Sequence, residues 1–437
     1  MSAGFARVCA DICDSYKMGT GVVSAILYAI PFQARWLYYL SIVFFVFNVL
    51  LFSVAFLVSV LRYSTYPSSR TSTYSLHEEI ANRVDPALFP AIWTVMIQDS
   101  NNSLFVATMP MGFATLINMF ISICVPLWGP WAVYFAWSLW IVDTIIALSV
   151  TMGLAIILMS KATQRELHTI TAAQLLPIAA TIVAVVVGSR IAEVMIPLNE
   201  QYALGTVIAS YAMWGLATPM AFMVLTMYWQ RLTLHQMVPR EVIVSAFLPL
   251  GPLGYGGYAL IQLGKDCLIL FPDTHSVHPG AGQFAYLAGF FVALIMWGWG
   301  LIWFVFALAN IYKSRPLPFN MGWWGFTFPL GVYSLDTILL GEELPSRFFR
   351  VLGTIWGTAV ILLWIFIFFR TAMGAWNRTL FVAPCLANLA IQDRYPKEEL
   401  EDGVPRKHSS NPNLGDGGGL THRATAGNDP ALETEDV

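Results

Sequence analysis

Charge is scarce in this sequence. Only 11% of its 437 residues are Asp, Glu, Lys or Arg, against 57% hydrophobic. Soluble domains carry about 25% charged residues, so a water-facing globule is excluded and the chain reads as an integral membrane protein. Cysteine is scarce too: Cys9, Cys13, Cys124, Cys267 and Cys385 form no paired spacings, which argues against a disulfide framework. The seven histidines are scattered, and none stands at ligand spacing from another His, Cys or carboxylate on a predicted helix, so no metal is expected. The glycine run at 251–257 and the one in the tail lack the Gly-Lys-Ser/Thr ending of a phosphate loop, so no nucleotide cofactor is expected. No Ser/His/Asp or Cys/His constellation falls at a shared membrane depth, which argues against an enzyme. The net charge of -3, with its acidic excess in the tail, supplies no basic surface for nucleic acid. No cleavable leader is expected either. Asp11, Asp14 and Lys17 precede the first apolar run, which has no convincing cleavage site and reads as a retained helix.

Long apolar runs are what the chain has in abundance. They fall at about 8–30, 37–62, 103–125, 131–159, 171–196, 202–230, 241–263, 283–312, 319–341 and 348–372. The lengths predict an all-α membrane protein of ten transmembrane helices. Residues 1–17 form an amino-terminal segment running into the first helix, and 18–386 the membrane domain. From 387 to 437 the composition turns polar and predicts a disordered tail. With the amino terminus placed in the cytoplasm, 18 of the 23 Lys and Arg residues fall on the cytoplasmic side, which puts both termini, the 63–102 loop and the tail there. The N-x-S/T sequences at Asn101 and Asn377 then face the cytoplasm, where glycosylation is not expected.

A short motif recurs through these runs. Met109-Pro110-Met111-Gly112, Leu248-Pro249-Leu250-Gly251 and Phe328-Pro329-Leu330-Gly331 share one pattern, and Leu176-Pro177-Ile178-Ala179 is a degenerate copy. The prolines stand 67, 72 and 80 residues apart, about one helical hairpin each. Met18-Gly19 reads as a fifth copy without its proline. Pro329 removes a backbone donor and Gly331 lets the backbone deviate, so the helix is predicted to break, leaving carbonyls near 325–327 without partners. Bilayers tolerate such groups only beside protein or a water-filled cavity. Pro110, Gly112, Pro177, Pro249, Gly251, Pro329 and Gly331 are therefore expected to line a bundle interior or pore.

Four charges lie near membrane depth, Asp143, Arg190, Glu193 and Asp336, where an ionisable side chain is a functional candidate by default. Arg190 and Glu193 stand three apart near the outer end of the fifth span, so pairing on one helix face, or snorkelling to the interface, explains them better than transport does. Asp143 fits a structural hydrogen bond between helices, the expected role if the family arrangement described below places it in an outer helix, or a part in transport. Asp336 fits either reading. Asn118, polar but uncharged, is expected to line the pore or to join helices.

The same stretches carry a resemblance. SAILYAIPFQARW at 24–36, MPMGFATLIN at 109–118, PREVIVSAFLPLGPLG at 239–254, GWWGFTFPLGVY at 322–333 and LFVAPCL at 380–386 resemble the fungal sulfite efflux pumps. These belong to the tellurite-resistance and dicarboxylate transporter family, together with malate permeases and plant slow anion channels. The resemblance implies five helical hairpins around a central pore lined by the odd-numbered helices, with assembly as homotrimers. It implies a plasma-membrane exporter of sulfite or bisulfite; a proton-coupled malate permease and a gated anion channel are the alternatives. It also implies that an aromatic in the ninth helix plugs the pore, which points to Phe328, with Phe326 as the second candidate. Two departures stand out. DICDSYK brings carboxylates and a lysine where the family is apolar, and about 20 residues near 68–85 look inserted: Gly19 to Gly112 spans 93 residues, against an average of 73 for later intervals.

Overall fold

In the computed structural model the described residues are 17–32, 34–65, 102–160, 170–234, 240–317 and 319–377. The insertion at 68–85, the stretch 1–16 and the tail 387–437 lie outside them. Every regular element among the described residues is helical. In chain order these are α1 over 17–29, α2 Arg35–Thr65, α3 Thr108–Ile123, α4 Pro130–Ser160, α5 Leu175–Met195, α6 Glu200–Leu234, α7 Leu250–Asp273, α8 Ala281–Lys313, α9 Thr327–Glu343 and α10 Arg347–Trp376. Seven of them, α2, α4, α5, α6, α7, α8 and α10, are long and apolar enough to cross a membrane. The shorter α3 and α9 are each preceded by a 3-10 stretch, Asn102–Ala107 and Met321–Phe326.

Burial alternates along the chain. The apolar windows of α5 and α7 are 94% and 83% buried, whereas those of α2, α4, α6, α8 and α10 are 17–33% buried. α1, α3 and α9 are buried along most of their lengths as well. An inner set of odd helices is thus wrapped by an outer set of even ones, whose exposed side chains, such as Ile145, Phe291 and Ile355, are apolar. Apolar exposure of that kind suits lipid contact. α3, α5, α7 and α9 touch in sequence. α1 closes the ring, with Gly19 against Thr327 of α9 and Gly21 against Thr115 of α3.

Tryptophans tie the two layers together. Trp140 of α4 donates to the Ala184 carbonyl of α5 (2.8 Å), and Trp214 of α6 to the Gly256 carbonyl of α7 (3.0 Å). Trp297 of α8 donates to the Thr337 hydroxyl of α9 (2.9 Å), and Trp364 of α10 to the Thr20 hydroxyl of α1 (3.1 Å). Each of these outer helices is tied to the inner helix that follows it, and the last is tied to the first. Between helices in lipid such bonds carry much of the specificity, because apolar contact alone does not favour helix over lipid. Thr337→Val, which keeps shape and removes the acceptor, is expected to cost about 1 kcal/mol. Thermal melting in detergent followed by circular dichroism checks this; an unchanged midpoint would remove the bond from the stabilising set.

The proline repeats take a different form from the predicted break. Pro110, Pro177 and Pro329 are each the third residue of α3, α5 and α9, and Pro249 is the N-cap of α7. The first four N–H groups of a helix have no intrahelical acceptor, so proline there loses nothing. The interruption lies just upstream, where a 3-10 stretch gives way to α-helix. Thr327 satisfies the Trp324 carbonyl twice at that junction, through its backbone N–H and through its hydroxyl at 2.7 Å.

α7 also departs from the 241–263 prediction. Residues Arg240–Phe247 are 3-10, and the α-helix runs on to Asp273, past Lys265 and Asp266. Those charges read as a helix end in sequence, but Lys265 is neutralised within the fold by Glu343, 2.9 Å away.

Candidate functional site

Phe328 is the second residue of α9 and is 5% exposed. Its ring meets Tyr255 of α7 edge-on, with centroids 6.0 Å apart, and Tyr255 lies 6.0 Å from Tyr258 one turn further along. An aromatic row therefore runs from Phe328 along α7. Phe326 belongs elsewhere. It ends the 3-10 stretch before α9 and packs on Phe247 (5.2 Å) and Trp323 (5.5 Å), joining the two 3-10 segments.

The motif glycines divide by what surrounds them. A Cβ at Gly251 would meet no atom within 4 Å although the residue is buried, a combination found at no other described glycine. At Gly112 the nearest atoms, Lys17 Cβ and Met18 Cγ, are 3.8 and 3.9 Å away. Gly251 thus borders free space, whereas Gly112 is in ordinary contact with the start of α1. Gly331, by contrast, would collide with Val22 of α1. The expectation that Gly331 serves backbone deviation is corrected: it lies within regular α9, and its missing side chain lets α9 and α1 approach.

The charges sort in the same way. Arg190 and Glu193 form an ion pair across three residues near the end of α5, with side chains 22% and 43% exposed. On α9, Glu343 accepts from Lys265 of α7 and from the Tyr286 hydroxyl of α8 at 2.6 Å. The carboxyl-terminal ends of α5, α7 and α9 thus carry a charged cluster. Asp336 is fully buried, with neither oxygen hydrogen-bonded. Both oxygens lie 3.3 Å from where a Gly257 Cβ would stand, and the next atom there is Ala293 Cα of α8. Asp336 therefore points between α7 and α8, away from the Phe328 row.

Asp143 is 1% exposed on α4 and neither oxygen has a partner. The expected interhelical bond is absent. Thr151, about two turns further along α4, takes the polar groups of α5 instead, donating to the Pro177 carbonyl at 2.7 Å and standing 2.7 Å from the Thr181 hydroxyl. The Asn118 side-chain carbonyl on α3 is likewise buried without a partner.

Sequence reasoning missed three residues. Tyr255 and Tyr258 were legible as the two bulky side chains in a run of glycines. Lys17 stands two residues before Gly19, the place held by proline in the other repeats. Its side chain is 4% exposed, with the ammonium 5.1 Å from the Phe52 ring centre. Among the described residues no group of three His, Cys, Asp or Glu stands close enough to hold a metal.

A ring of buried helices inside an apolar shell, with an aromatic row where α9 meets α7, suits an ion path better than a catalytic cleft. The family model for SLAC1, described as voltage-dependent anion channel, matches residues 15–372. The chain belongs to the SLAC1 family. Its relatives include the sulfite efflux pump SSU1 of Arthroderma otae, 41% identical over 84% of this chain and 91% of that protein. The pump of the same name from Candida albicans is 28% identical over 79% of this chain and 69% of that protein. The malic acid transport protein of Schizosaccharomyces pombe is 24% identical over 80% of this chain and 75% of that protein. As a SLAC1 member with seven helices apolar enough to span, the chain is a multi-pass membrane protein of the transporter and channel type.

Proposed function

We propose that this SLAC1 chain exports sulfite or bisulfite across the plasma membrane. Its likeness, over most of its length, to relatives named sulfite efflux pumps carries the reading. In it the ten helices cross as five hairpins, the inner five surround the path, and both termini are cytoplasmic, in keeping with the Lys and Arg bias. The subunit assembles as a trimer, each copy with its own path. No chemistry on the anion is involved.

Direction follows from electrostatics. A negative cell interior favours anion exit by about 2.3 kcal/mol per charge per 100 mV, so export needs no coupled ion. Phe328, edge-on to Tyr255, is the closure of the path. The free space beside Gly251 is part of the path. A binding site held by backbone and hydroxyl groups favours throughput, because a strong fixed charge would trap the anion.

The malate reading draws on the relative of that name. Proton-coupled dicarboxylate uptake requires a protonatable group on the path, and Asp336, turned between α7 and α8, is poorly placed for it. The deciding experiment places the chain in a yeast strain without its own sulfite exporter. Restored tolerance with rapid sulfite release is expected, together with no labelled malate uptake at either of two pH values. Proton-dependent malate uptake without sulfite tolerance would reverse the assignment.

A further inference from the structure

An anion leaving the aromatic row meets the charged cluster at the ends of α5, α7 and α9. Lys265 is committed there. Its ammonium is bonded to Glu343, which also holds the Tyr286 hydroxyl, so this group is a strut joining α7, α8 and α9. Arg190 is held differently, by a carboxylate on its own helix. Its partner Glu193 is 43% exposed and has water to turn to.

The surroundings of Arg190 show where it points. Its guanidinium lies within electrostatic reach of Tyr258 on α7, Tyr28 on α1 and the carboxylates of Glu193 and Asp266. In the ring α1 stands between α9 and α3. A side chain of α5 that senses both α1 and α7 faces the ring interior, not the lipid. Tyr258 is also the end of the row that begins at Phe328. The hydroxyls of Tyr255 and Tyr258 make no hydrogen bond among the described residues, which leaves them free to donate to a passing anion.

We propose that Arg190 is the exit-side binding residue for the transported oxyanion, with Tyr258 as a hydroxyl donor and Glu193 as the carboxylate that competes for the guanidinium. The assignment rests on the export reading. A guanidinium fork matches two oxygens of a small oxyanion. Alone it would hold the anion too tightly for conduction. Glu193, tethered three residues away, competes at high local concentration. Binding then breaks the Arg190–Glu193 pair while Glu193 turns to water, and release restores it. The site is weak by construction and refills itself internally.

Whole-cell recording on the full chain tests this, with sulfite fixed inside and graded outside, and then the reverse. Glu193→Gln is expected to lower the half-saturating external sulfite concentration about tenfold, the weight of one charge-assisted hydrogen bond. Arg190→Gln is expected to raise it about tenfold, and Arg190→Lys to fall between. Internal half-saturation should stay within twofold of the parent in all three, a sidedness that a merely structural pair would not produce. If Glu193→Gln leaves the external value unchanged, or if the internal and external values move together, the assignment is overturned. A parent chain that carries malate and no sulfite overturns the sulfite reading instead. The same three variants measured in malate then decide Arg190 by the same criteria.

Discussion

Phe328→Ala is expected to raise sulfite flux about tenfold at equal surface expression. The Phe328 ring is buried and its only aromatic neighbour among the described residues is Tyr255, edge-on at 6.0 Å. Such a pair contributes about 0.5–1.5 kcal/mol beyond simple burial, and a tenfold rate change corresponds to about 1.4 kcal/mol of barrier. The contact that holds the ring is thus of the size needed to account for the effect. Alanine removes both the obstacle and its hold. Phe326→Ala is the matched control, because that ring packs against Phe247 and Trp323 and leaves the row untouched. Sulfite release from cells, normalised to surface protein, checks the pair. Unchanged flux in Phe328→Ala at parent expression would remove the closure role; increased flux in Phe326→Ala alone would transfer it.

The second large effect separates folding from transport at two glycines three residues apart. Gly254 abuts α9 backbone: a Cβ there would stand 2.9 Å from Tyr333 Cα, 3.1 Å from its nitrogen and 3.2 Å from the Val332 carbonyl oxygen. No rotamer change relieves contact with backbone, so a side chain must push α7 from α9. Overpacking of this kind costs about 1–3 kcal/mol or more. Gly254→Leu is expected to yield little protein that is monodisperse in detergent. Gly251, on the same helix, faces open space. Gly251→Leu is expected to fold normally and to cut flux by about tenfold or more, since it fills the path with a group no anion can displace. Size-exclusion profiles and sulfite release together score both. A Gly251→Leu protein that folds and transports like the parent would place that free space off the path.

Much of the architecture was legible because its causes are local or periodic. Apolar runs of bilayer length mark candidate spans whatever they touch, and seven of the helices are long and apolar enough to cross. The family followed from the motifs and agrees with the match over residues 15–372. The proline's effect was misplaced: a proline three residues into a helix and one in its middle look the same in a string, and only the backbone trace shows that the N–H was never needed. The end of α7 was misread for a related reason. Lys265 and Asp266 look like a boundary until Glu343, 78 positions along the chain, is brought to Lys265.

What the sequence by itself determined is the class of protein, its apolar runs, the repeat and the list of unusual residues, because hydrophobicity is carried by each segment's own composition. The tertiary structure alone decided what each of those residues faces. Gly331 and Gly251 hold equivalent places in the motif, yet one is filled by Val22 and the other opens on free space. Asp336 and Phe328 share α9, yet one points between α7 and α8 and the other meets Tyr255. Direction around a helix axis has meaning only relative to neighbours. In a closed ring those neighbours come from α1 and α9 at opposite ends of the chain, so no local pattern encodes which side becomes the path.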